Sequence, residues 1–392
     1  MKKQKHVHVI TKFFVPVAAG IETNILETYC VMVRNGWKVT LHTSRDSLTE
    51  KNVYNNNEII EGIEVRRYKR GILGINPQID LNTADVIALH NFDVVPHFQF
   101  MVRAIWHKLT GKKSYKLVLT PHGGFNPEWR VFSPTVAFVK RLYHYTLGVL
   151  LINACMDAVR AVSEWERREI ASKGVKREIL HVISNGIEDE AYYDLEKEAS
   201  PEIKKMVKGL KPYVVQIGRI YPIKNYETSI RAISKIPNIN YVIAGPVGDE
   251  NYFTNIKKLA AELGMADRIH FVGVIRGADK YYLIKNAQLM VHMAIWESFC
   301  NVVHEGMSQG LVCVVANNTA LTYLVKDQIN GFLVDTYDVD TLYSTLKMVL
   351  EKHDSKEMKK IQETNRKFGL STTWASTADK MDALYTSLIK TK

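Results

Sequence analysis

Short runs of β-branched and aliphatic residues alternate with segments of helical period along almost the whole chain. This rhythm stops and restarts once, which confines the fold to two mainly parallel sheets, each covered by helices on both faces. In the first half, HVHVI at 6–10 reads as a strand, IETNILETYCVMVRNG at 21–36 as a helix ended by Gly36, and KVTLHTS at 38–44 as the next strand. DVIALH, KLVLTPHGG, AVRAVS and ILHVISNGI continue the series. Residues 188–212 are charged, hold two prolines and show no strand signal, so a domain boundary and hinge are expected there. The alternation then resumes with YVVQIGR, NYVIAG, IHFVG, LMVHMA, LVCVVA and GFLV. An amphipathic helix over 373–390 closes the chain. Two α/β domains of doubly wound, Rossmann-like type account for the 392 residues.

Apolar residues make up 46% of the chain, which excludes disorder. The balance of 52 Lys and Arg against 41 Asp and Glu gives a net charge of +11, a field that attracts polyphosphates, nucleic acid or an anionic membrane face. The cations are scattered and no aromatic-interleaved patch accompanies them, which argues against a nucleic-acid-binding protein. Cys30, Cys155, Cys300 and Cys313 are widely separated and read as buried, reduced thiols in a cytoplasmic protein. The N-terminus lacks a signal-peptide pattern, and the longest stretch without Asp, Glu, Lys or Arg, 142–156, is too short to span a bilayer. RAIWHKLTGKKSYK at 103–116 gathers Arg103, Lys108, Lys112, Lys113 and Lys116 with Trp106 and Tyr115. A solvated face fits it, and so does contact with an anionic membrane bearing a lipid-linked acceptor.

In doubly wound sheets ligands bind beyond the carboxyl ends of the strands, so residues just after strands carry the functional information. QIGRIYPIKN puts Arg219 and Lys224 into one strand-to-helix turn behind Gly218, two cations suited to a pyrophosphate, although a solvated turn would look the same. Gly245 in AGPVGD and Ile275 in FVGVI follow further strands and offer backbone to a nucleotide. WESFCNVVHEGMSQG at 296–310 sets Glu297 before a helix and Glu305 inside it, with Ser298 or Asn301 as the expected cap. The N–H groups of Phe299, Cys300 and Asn301 would then form an anion site. Carboxylates at those two depths suit the hydroxyls of two sugars in one ligand; a dipole partner and an ordinary helix residue are the plainer reading. In the first half, VPVAAGIETN allows close backbone approach at Gly20 without the G-x-G-x-x-G of dinucleotide folds, and TPHGGF brings His122 to a strand end.

In order and spacing, the Gly20 loop, HGG, SNGIE, GRIYPIKN, AGPVGD, FVGVI, ESFCNVVHEGMSQG and NGFLV resemble the retaining, nucleotide-sugar-dependent glycosyltransferases of GT-B fold. The resemblance implies two Rossmann-like domains facing across a cleft. Residues 1–190 with 375–392 would form the acceptor-binding domain, and 191–374 the nucleotide-sugar-binding one. It implies that Arg219 and Lys224 hold the donor diphosphate, that Gly20 approaches it, and that Glu297 contacts the donor sugar. Glu305 would bind the ribose and His122 would lie beside the transferred sugar. A UDP- or GDP-sugar would be the co-substrate, with no cofactor and no metal, so that DVD at 338–340 is read as a helix cap. An epimerase or phosphorylase of the same fold stays open. The chain departs from the family where Ala19, Cys300, Gly306 and Leu311 stand in place of the usual glycine, glycine, alanine and proline.

Overall fold

The computed structural model describes residues 4–16, 20–45, 54–71, 74–77, 79–81, 83–92 and 96–390. It divides into two compact units, Met1–Gly186 with Trp374–Lys392, and Ile187–Thr373.

The sheet of the first unit contains β1 (His6–Ile10), β2 (Lys38–Ser44), β3 (Asn57–Ile60), β4 (Ile63–Tyr68), β5 (Val86–His90), β6 (Lys116–Thr120), β7 (Ala158–Ala161) and β8 (Leu180–Val182). Their order is β3-β4-β2-β1-β5-β6-β7-β8, parallel except where β3 pairs with β4. β1 and β5 are buried at every position because helices cover both faces, which is why they read as unbroken apolar runs. The β3–β4 hairpin was not expected. Its two-residue turn is Glu61-Gly62, with φ of 48° and 80°, the left-handed pair that tight hairpins require.

The C-terminal helix Trp374–Lys390 belongs to this first unit and lies along the helix Gly20–Arg34. Asp382 fixes it, accepting from Trp37 Nε1 at 2.9 Å and from Lys5 Nζ at 3.2 Å.

The second unit has β9 (Tyr213–Ile217), β10 (Asn240–Ala244), β11 (Ile269–Gly273), β12 (Leu289–His292), β13 (Cys313–Ala316) and β14 (Phe332–Val334), all parallel, in the order β11-β10-β9-β12-β13-β14. The expected hinge at 188–212 is corrected here. That stretch forms helices Leu195–Glu198 and Pro201–Leu210, whose Leu195, Ile203, Val207 and Leu210 join the core of this unit. The division instead falls at 186/187, four residues before the expected 190/191, and at 373/374. Ile187 is tied to the return of the chain by a bridge to Thr373. Asp338 caps the helix Val339–Glu351, its side chain accepting from Thr341 N–H, and all four cysteines are free and buried. No helix among the described residues is long and apolar enough to cross a membrane.

Candidate active site

In the second sheet β9 lies between β10 and β12, so the chain leaves β9 and β12 toward opposite sides of the sheet. A crevice opens at such a switch point, and the loops after these two strands border it. The loops are joined to each other by Ile295 N–H donating to Ile223 O at 2.8 Å and by Asn225 Nδ2 donating to Met293 O at 3.1 Å. Gly245 is obligatory: a Cβ there would stand 2.1 Å from Gly218 O, and its φ is 147°. A small cavity of about 130 Å³ results, lined among others by Gly218, Arg219, Gly245, Ile275 and Lys280.

Lys224 and Glu297, 73 residues apart, meet with Nζ 2.5 Å from Oε1, and both side chains are largely buried. His292 at the end of β12 places Nε2 2.8 Å from the same oxygen. Burial works against the Glu297 carboxylate, but Lys224 and then His292 outweigh it and bring its pKa down to about 2. Burial likewise disfavours the Lys224 ammonium, yet Glu297 raises its pKa overall. His292 is depressed by burial, so the neutral ring donates from Nε2 to Glu297, and its buried Nδ1 has no partner among the described residues. Both contacts fall on Oε1 of Glu297, which leaves Oε2 to accept from a ligand.

The helix Asn301–Ser308 starts four residues after Glu297. Neither Ser298 nor Asn301 is its cap, contrary to expectation. Cys300 holds that position at φ 78°, ψ 72° and makes no side-chain cap bond. A left-handed residue suits glycine, which is the residue that the resemblance expects here. Phe299 packs edge-on against His304. Gly306 is explained by Met290, whose Sδ would stand 2.8 Å from any added Cβ. His292, Glu297 and Cys300 present ligand atoms within 4.8 Å of one another, the arrangement of a small metal centre, but the Lys224 ammonium already sits on Glu297 and opposes a cation.

Glu305, deeper in the helix, has Oε1 3.2 Å from Lys280 Nζ, and Lys280 also holds Glu188. Two carboxylates therefore share one ammonium. Burial disfavours the Lys280 ammonium, but Glu305 and Glu188 outweigh it and raise its pKa. For Glu305 burial dominates and raises the pKa, Lys280 opposing and Glu188 reinforcing it. Its Oε2 is buried with no hydrogen-bond donor among the described residues. A buried acceptor left without a donor, on a carboxylate whose Lys280 partner lines that cavity, is a place for a hydroxyl group. His292 and Lys280 were missed in the sequence; Lys280 lies 92 residues from Glu188, and no local pattern announces their meeting.

In the first unit Gly20 opens the helix Gly20–Arg34, while the preceding 17–19, including Ala19, lie outside the described residues. His122 follows β6 at φ 50°, uncommon for a non-glycine residue and of the kind that clusters at functional sites. Its Nε2 lies 2.8 Å from His90 Nδ1. Glu166 accepts from the next N–H, that of Gly123, and from Val162 N–H at 2.7 Å. A Cβ at Gly124 would fall 2.2 Å from Asn91 Oδ1, so the loop keeps its shape only with glycine there.

Two family models match, glycosyltransferase family 4 over residues 18–191 and glycosyl transferases group 1 over residues 199–368. Among curated proteins, D-inositol 3-phosphate glycosyltransferase of Mycolicibacterium smegmatis is 26% identical over 232 residues, 58% of this chain and 52% of that protein. The chain thus spans about half the length of this relative. UDP-Gal:alpha-D-GlcNAc-diphosphoundecaprenol alpha-1,3-galactosyltransferase of Escherichia coli is 26% identical over 278 residues, 62% of this chain and 69% of that one. Among solved structures, Anabaena HepE in complex with UDP-glucose superposes with a TM-score of 0.74 at 19% identity, covering 97% of this chain and 99% of that chain. Its likeness shows the fold, two Rossmann-like units of the GT-B class.

Proposed function

The chain belongs to the glycosyl transferases group 1 family, and from that premise we propose that it moves a hexose from a nucleoside-diphosphate sugar to a hydroxyl of a saccharide or lipid-linked acceptor, with retention and without a metal. The observation that carries this reading is the buried, unmatched Oε2 of Glu305, a carboxylate whose other oxygen is held by Lys280, which lines a cavity together with Gly218, Arg219 and Gly245. An acceptor without a donor there fits a ribose hydroxyl, and the cations beyond it fit the diphosphate. UDP-glucose in the Anabaena HepE structure, and UDP-Gal in the name of the Escherichia coli relative, support a UDP-sugar; a GDP-sugar is the other member of the class to be tested.

In this mechanism the bond from the anomeric carbon to phosphate breaks as charge grows on the diphosphate oxygens. Arg219, Lys224 and the N–H groups at the start of helix Asn301–Ser308 stabilise that charge, and catalysis is mainly electrostatic preorganisation. Lys224 acts as a held cation: Glu297 keeps it protonated and aimed, while Glu297 Oε2 accepts from a hydroxyl of the sugar. The phosphate oxygen takes the proton of the acceptor hydroxyl, which attacks on the leaving-group face, so that no protein nucleophile is needed.

A thermal-shift screen against UDP-, GDP- and ADP-sugars identifies the donor, because a ligand that binds only the folded form raises the melting temperature. NMR of the product, with and without an acceptor, then reads the anomeric configuration. Failure of every nucleotide to shift the transition, or an inverted product, defeats the donor assignment or the retention respectively. A product formed without any acceptor would point to an epimerase.

We further propose a cytoplasmic location with peripheral contact to an anionic membrane. The helix Pro134–Tyr143 has no buried residue and turns Val136, Phe138, Val139 and Leu142 outward beside Lys140 and Arg141. Trp106 and Leu109, 63% and 78% exposed, add a second apolar edge on a basic helix. Apolar side chains framed by cations suit an anionic interface. Flotation with acidic liposomes tests it: binding at low salt that Phe138→Glu weakens is expected, and no binding at low salt removes the proposal.

A further inference from the structure

The first unit contains a file of four hydrogen-bonding side chains that ends on His122. Tyr385 of the C-terminal helix meets Tyr29 hydroxyl to hydroxyl at 2.8 Å. Tyr29 Oη lies 2.9 Å from His90 Nε2, and His90 Nδ1 lies 2.8 Å from His122 Nε2. Tyr29, His90 and Tyr385 are wholly buried. The file is held from behind, since Trp37 packs edge-on against the Tyr385 ring and anchors Asp382, three residues before it.

The direction of these bonds follows from counting protons. A phenol has one O–H to give, and a neutral imidazole has one N–H and one bare nitrogen. The buried Tyr385 hydroxyl has Tyr29 as its one hydrogen-bonding partner among the described residues, so its proton goes to Tyr29 oxygen. Tyr29 in turn gives its own proton to His90 Nε2. His90 therefore carries its proton on Nδ1 and donates it to His122 Nε2, which leaves the proton of His122 on Nδ1. The reverse direction would strand the Tyr385 proton in an apolar interior, an unmatched donor of the kind folded proteins avoid. Burial, with the Arg160 guanidinium nearby, depresses both imidazoles and keeps them neutral.

We propose that Tyr29 and His90 are positioning residues that fix His122 as its Nδ1–H tautomer, so that the ring offers a ligand oxygen a hydrogen-bond donor and not an acceptor. Nδ1 makes no bond among the described residues and is not among the atoms sealed from solvent. That the oxygen belongs to the transferred sugar rests on the transferase reading above; the tautomer itself does not.

The test uses the full-length protein labelled with 15N-histidine, whose ring nitrogen shifts distinguish a protonated from a bare nitrogen. His122 of the unaltered protein is expected to be protonated on Nδ1. Tyr29→Phe deletes the donor to His90 Nε2, frees both rings to exchange tautomers, and is expected to give His122 a mixture. Tyr385→Phe, equally buried in the same file, still leaves Tyr29 with His90 as its sole acceptor and is expected to preserve the Nδ1–H form. A merely structural role would treat the two phenols alike. His122 protonated on Nε2 in the unaltered protein, or an unchanged tautomer in Tyr29→Phe, overturns the proposal. In turnover, Tyr29→Phe is expected to lower kcat about fivefold, the net worth of one neutral hydrogen bond, with KM for the donor unchanged. An unaltered kcat beside the expected spectra would leave the tautomer assignment standing and count against His122 acting on the sugar.

Discussion

Replacing Lys224 by methionine keeps the length of the side chain and removes its charge, and the surroundings of the ammonium set the size of the effect. Lys224 Nζ is 2.5 Å from Glu297 Oε1, and the two side chains are only 19% and 13% exposed. Loss of one partner of a buried pair, leaving the other charge unmatched, costs about 3–5 kcal/mol. The pKa of Glu297 gives an independent scale: held at about 2 against an ordinary 4.5, its ionised form contributes about 3 kcal/mol. Because the folded pKa is depressed, that stability is present above the unfolded value of 4.5 and lost as the pH falls through about 2. Lys224→Met should therefore lose about 3 kcal/mol at pH 7 and less near pH 4, where the unmatched carboxylate takes a proton. Turnover should fall about a hundredfold, the usual effect of removing one fixed charge from a developing anion. Adding Glu297→Gln removes the stranded carboxylate while His292 keeps an acceptor. The double variant should regain most of the stability and none of the turnover, as read by urea unfolding and steady-state kinetics on the same preparations. A single variant that loses less than about 0.5 kcal/mol, the scale of a surface pair, refutes the buried-pair reasoning. A double variant that recovers turnover shows that the charge of Lys224 is not what catalysis uses.

Glu166 is pushed by burial up to about 7 although it accepts two backbone N–H groups. A carboxyl whose folded pKa lies above its unfolded 4.5 is neutral when folded at mild acidity, so stability falls as the pH rises from about 4.5 to 7, by up to about 3 kcal/mol. Glu166→Gln stays neutral throughout, and the stability difference between it and the unaltered protein should change by that amount over this interval; a pH-independent difference refutes it. Cys300→Gly relieves a left-handed non-glycine backbone worth about 1 kcal/mol and loses a small buried thiol of similar value, so stability and turnover should both stay close to normal. Burial raises the pKa of the Cys300 thiol, and iodoacetamide at pH 8 should leave it unmodified in the folded protein; rapid alkylation would show it exposed. Exhaustive dialysis against EDTA should leave turnover unchanged, and activity lost to EDTA and restored by a divalent ion would overturn the metal-free proposal.

The strands of the second sheet were legible because parallel strands covered on both faces leave uninterrupted aliphatic runs, and each expected run there coincides with an observed strand. The same logic failed at β3 and β4, an edge hairpin in which polar residues interrupt the apolar ones, so NNNEII and EVRRY carry no such run and only the Glu-Gly turn marks them. It failed again at 188–212, where charge outside and Leu195, Ile203, Val207 and Leu210 inside read as a linker although the apolar residues repeat at helical spacing. Lack of a strand signal is not lack of a core contribution.

Site residues divide along the same line. Gly218, Arg219 and Glu297 stand out as candidates because strand-end position is a property of local sequence. Partner choice is not local. Glu297 reads as an isolated carboxylate until β9 and β12 stand side by side, bringing Lys224 from one strand end and His292 from the other onto a single oxygen. Glu305 reads as a helix residue until Lys280 and Glu188 arrive from elements far away in the chain. In each case the paired oxygen accounts for how the carboxylate remains in the interior, and the proposed function assigns the other oxygen to the ligand. Oε2 of Glu297 and Oε2 of Glu305 both lack a donor among the described residues, and under the proposed function each is an acceptor for a hydroxyl of the nucleotide-sugar.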